Sequence, residues 1–173
     1  MTGEVLFYNK TMLDELGLLP PTTWSEVESV SKAIYKKYGV PGFGTDSIID
    51  TYQTLIMQAG SSYIDVDTKT MAIDRKIGIE KLNWFAKGVK EGYFRLVGED
   101  HYFSNPFGSQ AVGMYIGSSA GIDYVYAAIP AKGEAGYFEV GAVAVPQEGP
   151  VKYISNWSHG DVCLSKDKEH ARG

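Results

Sequence analysis

The sequence predicts an α/β fold, helix-rich, and three observations carry that expectation. Capped, amphipathic helical stretches alternate with short, isolated apolar runs; glycine or proline punctuates most junctions; no repeat or low-complexity segment interrupts the pattern. The 173 residues suit one domain or one lobe of something larger. At 44% hydrophobic and 21% charged the chain is globular. A formal charge of −5 without any Lys/Arg block argues against nucleic acid or an anionic membrane surface as partner. No apolar run approaches bilayer length. Cys163 is the one cysteine, which excludes an internal disulfide and a Cys-rich metal site.

The elements follow in order. Val5–Tyr8 reads as a buried strand, and a short helix follows from about Thr11 to Leu16, stopped by Gly17 and by Pro20-Pro21. Thr23-Trp24-Ser25-Glu26 is a capping box, opening a helix with Trp24, Val27, Val30, Ile34 and Tyr38 on one side and Gly39 as its stop. Val40–Phe43 reads as a strand. Asp50, with Gln53 three residues on, is expected to cap a helix that buries Leu55, Ile56 and Ala59 and ends at Gly60. Tyr63–Val66 and Met71–Ile73 flank a turn. Asp74 caps a long helix to about Glu91, with Leu82, Phe85, Ala86 and Val89 as its buried face and Gly92 closing it. Residues 93–110 read as loop with a helical turn before Pro106. Val112–Ile116 is a strand, Gly117-Ser118-Ser119 leads into a helix over about 119–128, and 129–136 is a loop. Phe138–Val145 alternates into a strand closed by Pro146, and Tyr153–Leu164 supplies one or two more.

Both ends read as cut. Met1–Glu4 lacks the cationic start and apolar stretch of a signal peptide and runs straight into a strand. Ser165–Ala171 reads as a helix capped and begun, two turns before Gly173. The expectation is an excised piece of a longer protein.

The residues narrow the chemistry. His101, His159 and His170 show no metal-ligand spacing, so no metal site is expected. There is no nucleophile elbow and no GxGxxG or GxxxxGK phosphate loop. Gly117-Ser118-Ser119 lies between a strand end and a helix start, where free N–H groups meet a ligand or where a serine merely caps the helix. Asp65 and Asp67 read as solvated turn residues and Asp50 as a helix cap. Asp46 and Ser47 have no evident structural duty in a strand-to-helix loop, where ligand contacts concentrate in α/β folds. The 13% aromatic content, twelve tyrosines among it, serves packing or a cleft with flat faces for hydroxylated rings.

A family resemblance joins these pieces. Leu6-Phe7-Tyr8-Asn9-Lys10, Leu16-Gly17-Leu18 and Pro20-Pro21-Thr22-Thr23-Trp24-Ser25-Glu26-Val27 resemble the signature of extracellular solute-binding proteins of ATP-driven (ABC-type) sugar importers, the maltose-binding-protein-like family. Gln58-Ala59-Gly60, the Asp65/Asp67 turn, Phe107, Ala111–Ile116, Val140–Pro146 and Ser155-Asn156-Trp157-Ser158 follow in the same order. One position departs: the family pattern has a glycine shortly before its Ala-Met block, and Gln110 stands there.

The resemblance implies a type II periplasmic-binding-protein-like fold of two α/β lobes with ligand between them. Residues 1–140 would form most of the second, C-terminal-type lobe, and 141–173 the crossover strands and the start of a helix of the other lobe. It implies binding of a mono- or oligosaccharide without covalent chemistry or cofactor, with hinge closure read by the membrane permease subunits of an ABC importer. It also implies an extracytoplasmic location, in the periplasm or lipid-anchored as a lipoprotein. The contact regions carried over are Asp46, Ser47, Asp50 and Tyr52, the turn Gly117, Ser118 and Ser119, and Trp157 from the other side. Tyr8 and Trp24 are assigned to packing. With part of the cleft absent, the chain is expected to bind sugar weakly or not at all.

Two rival readings compete. One is a binding protein for a non-sugar solute: a polyamine, an anion, or iron held by a tyrosine pair such as Tyr124/Tyr126. The other is a carbohydrate hydrolase using paired carboxylates.

Overall fold

The computed structural model describes residues 2–157. The chain opens on strand β1 (Thr2–Asn9) and helix α1 (Lys10–Leu16). Asn9 caps α1 by accepting from the Met12 N–H, and Gly17 ends it at φ +67°. Helix α2 (Trp24–Tyr38) carries the reciprocal capping box between Thr23 and Glu26, and Gly39 closes it. Strand β2 (Phe43–Thr45) leads to α3 (Ile48–Gln58), then to a hairpin of β3 (Ile64–Asp65) and β4 (Thr70–Met71). Asp74 caps α4 (Arg75–Glu91) as read, and β5 (Phe94–Leu96) follows. The rest comprises α5 (Ser104–Gly108), β6 (Met114–Ser118), a 3-10 turn at Ser119–Gly121, α6 (Ile122–Ala128), β7 (Val140–Ala144) and β8 (Asn156–Trp157).

One mixed sheet runs β5-β2-β6-β1-β7, and β8 pairs with the start of β1. β2 is parallel to β5 and β6, whereas β1 is antiparallel to β6 and β7. The period-2 alternation of strands then sends side chains to two cores. Leu6, Met114 and Ile116 join Trp24, Val27, Ile34, Leu55, Phe85 and Phe94 on one side. Phe7 and Tyr115 join Phe103, Phe107, Val125 and Phe138 on the other. The result is a three-layer α/β/α arrangement, with α1–α4 on one face and α5 and α6 on the other. It is the expected fold class.

Several local expectations need correction. Ser47, not Asp50, caps α3: its hydroxyl accepts from the Asp50 N–H, which puts Asp50 in the first turn. Ala59 is only partly buried, while Gln58 is fully buried. On α4, Phe85 and Val89 pack as expected, but Leu82 is 50% exposed and Ala86 is exposed; Gly78, Trp84 and Gly88 complete the packed face. A Cβ at Gly88 would collide with the Phe94 ring, so the glycine sets the close approach of α4 to β5. Residues 93–110 contain β5, where the sequence pattern predicts loop. The helix expected at 119–128 begins with a 3-10 turn and becomes α-helical only at Ile122. Among the described residues no helix is long and apolar enough to cross a membrane. The strand expected beyond Trp157 and the helix at Ser165 lie outside the described residues.

Candidate functional site

The parallel strands β2 and β6 end at the same edge of the sheet, and antiparallel β1 begins there. In open α/β sheets this carboxyl edge is where ligands meet the fold. The residue after β2 is Asp46, tied to β6 by its N–H, which donates to the Ile116 carbonyl. Its carboxylate accepts from the Phe103 N–H at 2.7 Å through Oδ1. Next to it runs Gly117, where a Cβ would come within 2.6 Å of Asp46 Oδ2.

A cavity of about 430 Å³ opens at this edge, within the size range of small-molecule sites. Three tyrosines line it, Tyr102, Tyr115 and Tyr124, together with Asp46, Ser104 and Ser118. Tyr115 is buried and stacks between Phe7 and Phe103, with ring centroids 5.2 and 5.8 Å away. Tyr102 and Tyr124 are 66% and 73% exposed, so their faces are open to a solute. The set offers flat apolar faces, one carboxylate, and the hydroxyls of two serines and three tyrosines, the groups that stack on and hydrogen-bond a polyhydroxylated ring.

Burial dominates the electrostatics of this edge. It pushes the Asp46 carboxyl up to about 6, partly offset by the Phe103 N–H. Burial, followed by the charge of Asp46, raises the Tyr115 hydroxyl as well. Glu4 on β1 is only 5% exposed; burial, then the charges of Asp50 and Asp46, push it up to about 8. Asp50 accepts a hydrogen bond from Ser155 Oγ at 3.1 Å.

The predicted contact residues distribute unevenly. Asp46 and Ser118 line the cavity, and Gly117 backs Asp46. Ser118 also caps the 3-10 turn by accepting from the Ala120 N–H, the capping use foreseen for that turn. Ser119 is exposed in that turn. Ser47 has a structural duty after all, as the α3 cap, and so does Asp46, as acceptor for Phe103. Asp50 faces Ser155. Tyr52 turns its hydroxyl toward Gly78 on α4, away from the cavity lining. The Trp157 backbone pairs with Thr2 in β8. Trp24 is core, as assigned. Tyr124 lines this cavity, whereas Tyr126 lines a separate one. Sequence reasoning missed Tyr102, Ser104 and Tyr115 and considered Tyr124 only as an iron ligand; for the tyrosines the high tyrosine content was the one general signal.

Solved structures share this architecture. The GacH receptor of Streptomyces glaucescens, solved unliganded and with acarbose, superposes with a TM-score of 0.70 at 23% identity, over 84% of this chain and 38% of that one. UgpB of Mycobacterium tuberculosis, solved with glycerophosphocholine, gives 0.70 at 21% identity, over 86% and 38%. A solute-binding protein from Thermotoga lettingae with bound α-D-tagatose gives 0.69 at 22% identity, over 86% and 40%. At such identities the likeness establishes the periplasmic-binding-protein-like fold, and the chain spans about two fifths of the length of these relatives. No curated protein matches it in sequence. Residues 1–171 match the sequence model of the bacterial extracellular solute-binding proteins, and the chain belongs to that family.

Proposed function

We propose that the chain binds a carbohydrate at the cavity between Asp46 and Tyr124, for uptake by an ABC importer outside the cytoplasm. The observation that carries the reading is the lining itself. Three tyrosines, two serine hydroxyls and one carboxylate surround about 430 Å³, with no basic side chain among them. A sugar ring presents C–H faces to aromatics and hydroxyls to carboxylates. An anionic solute would find no counter-charge there.

Asp46 takes sugar hydroxyls on Oδ2, Ser118 and Ser104 add hydrogen bonds, and Tyr102 and Tyr124 stack. Gly117 and Ser119 contribute backbone, and Trp157 belongs to the facing wall. Residues 1–140 act as one lobe and 141–173 as the crossover, and the permease subunits recognise the closed two-lobed state. No residue is assigned a covalent step.

The test is a binding panel of neutral mono- and disaccharides on the chain and on Asp46→Asn and Tyr124→Ala, read by ligand-observed NMR, which detects millimolar affinities. At least one sugar should bind, and each variant should weaken it by about tenfold. Variants that leave that weak binding unchanged would refute the reading.

A further inference from the structure

Strand alternation puts Asp46, Tyr115 and Gly117 on one face of the sheet, the face that carries α5 and α6. Tyr115 pairs with Phe7 across β1–β6 and shares its core with Phe103 and Phe107. Asp46 turns to the same side, where its Oδ1 accepts from the Phe103 N–H. Gly117, two residues on from Tyr115, has no side chain to part them. The point where its Cβ would lie is 2.6 Å from Asp46 Oδ2 and 2.7 Å from Tyr115 Cε2, the ring carbon next to the one that bears the hydroxyl. Carboxylate and phenol therefore stand side by side, and both line the cavity.

Each has one polar atom to spare. Asp46 Oδ2 and the Tyr115 hydroxyl make no hydrogen bond among the described residues, and neither is a sealed orphan as Glu4 Oε2 and Ser31 Oγ are. Both atoms are thus reached from the cavity, although Tyr115 as a whole is 2% exposed. Phe7 and Phe103 stack on its ring, which fixes the hydroxyl at the cavity floor. Burial and the charge of Asp46 keep the phenol protonated at neutral pH, so it is a donor there. Ionised Asp46 beside it is an acceptor alone. A single oxygen that completes both must donate to Asp46 and accept from Tyr115. A free hydroxyl does so; an ether oxygen has no proton to give, an ammonium has no lone pair to offer, and a phosphate meets the charge of the carboxylate.

We infer that Tyr115 is a specificity-determining residue of the solute site: with Asp46 Oδ2 it forms a fixed donor–acceptor pair at the cavity floor that selects a solute end carrying a free hydroxyl over the same end capped as an ether. This rests on the carbohydrate reading and narrows it to sugars whose leading ring is not O-alkylated. The exposed Tyr102 and Tyr124 remain for the faces of that ring.

The experiment labels the tyrosine ζ-carbons of the chain with ¹³C and follows Tyr102, Tyr115 and Tyr124 by NMR at pH 7. Two matched pairs are titrated: ethylene glycol against its dimethyl ether, and D-glucose against its fully O-methylated form. The Tyr115 signal should respond to the free member of each pair at about tenfold lower concentration than to the capped one. Tyr115→Phe keeps the ring and its stacking, and should cut the preference within the glucose pair, read on Tyr102 and Tyr124, to about twofold. A preference due to the bulk of the methyl groups would survive that change. Equal response within each pair, a preference untouched by Tyr115→Phe, or a Tyr115 signal that stays put in molar glycol would overturn the inference. Movement of Tyr102 and Tyr124 with D-glucose in the same spectra would leave the carbohydrate reading standing. That reading fails separately, if Tyr124→Ala and Asp46→Asn leave the response to D-glucose unchanged.

Discussion

Gly117 and Asp46 are fitted to each other: a Cβ on the glycine would lie 2.6 Å from Asp46 Oδ2 and 2.7 Å from Tyr115 Cε2. The space that Asp46 occupies exists because residue 117 has no side chain. Gly117→Ala should push the carboxylate toward the cavity and tilt Tyr115, costing about 1–3 kcal/mol of stability. Urea denaturation measures the loss. A variant as stable as the parent would show that the strand shifts freely to admit the methyl.

Glu4 and Asp46 set a pH dependence whose sign is fixed by their raised values. Glu4 rises from its ordinary 4.5 to about 8 and Asp46 from 3.8 to about 6. Between the ordinary and raised values the folded chain holds protons that the unfolded chain has released. Their contribution is complete at acid pH and is lost as pH rises, through 6 for Asp46 and through 8 for Glu4. Stability should therefore fall by a few kcal/mol from pH 5 to pH 9, and Glu4→Gln should flatten the upper part of the slope. Denaturation midpoints at four or five pH values check this; a Glu4→Gln profile parallel to the parent's would count against a buried, proton-holding Glu4.

Gln58 fastens the segment after β7 to the helical layer. Its Oε1 accepts from Trp24 Nε1 at 2.8 Å and from the Glu148 N–H at 3.0 Å, and its Nε2 donates to the carbonyls of Pro146 and Tyr153. Gln58→Leu keeps the volume but orphans these groups, at a cost of about 2–5 kcal/mol. Hydrogen exchange should quicken at Glu148 and Val151 before it does in the sheet. Unchanged exchange there would mean that other contacts hold the segment.

Gln110 shows what a departure from a family pattern costs. It follows α5 at φ +59°, closing the helix with bonds from its own N–H to Phe107 and from the Ala111 N–H to Pro106, the Schellman arrangement. Glycine tolerates that backbone best. Its side chain offsets the strain by donating to the Gly136 carbonyl at 3.1 Å. Gln110→Ala keeps the strain and loses the bond, whereas Gln110→Gly loses both. The glycine variant should be the more stable of the two by about 1 kcal/mol, measured by thermal unfolding; the reverse order would mean that the φ value carries no strain.

What the sequence disclosed follows from how local each signal is. The Thr23/Glu26 box, the Asp74 cap and the stops at Gly17, Gly39 and Gly92 are settled within a few residues, and they stand where the pattern puts them. Ser47 and Asp50 are both good capping residues three positions apart, so composition alone could not choose between them. The α4 face was misjudged because its contacts use Gly78 and Gly88, which carry no hydrophobic signal, while the exposed Leu82 does. Asp46 and Ser118 were legible as loop residues at strand ends. Tyr102 and Tyr124 were not, because only the packing of α5 and α6 on the second face brings 102 and 124 to the edge where β2 and β6 end.

The most direct test of the central claim is a ¹⁵N–¹H correlation spectrum of the chain titrated with sugars. Saturable shifts should centre on residues 46–47, 102–104 and 117–124 around the Asp46 cavity. Saturable shifts centred instead on the separate cavity at 129–140 would contradict it.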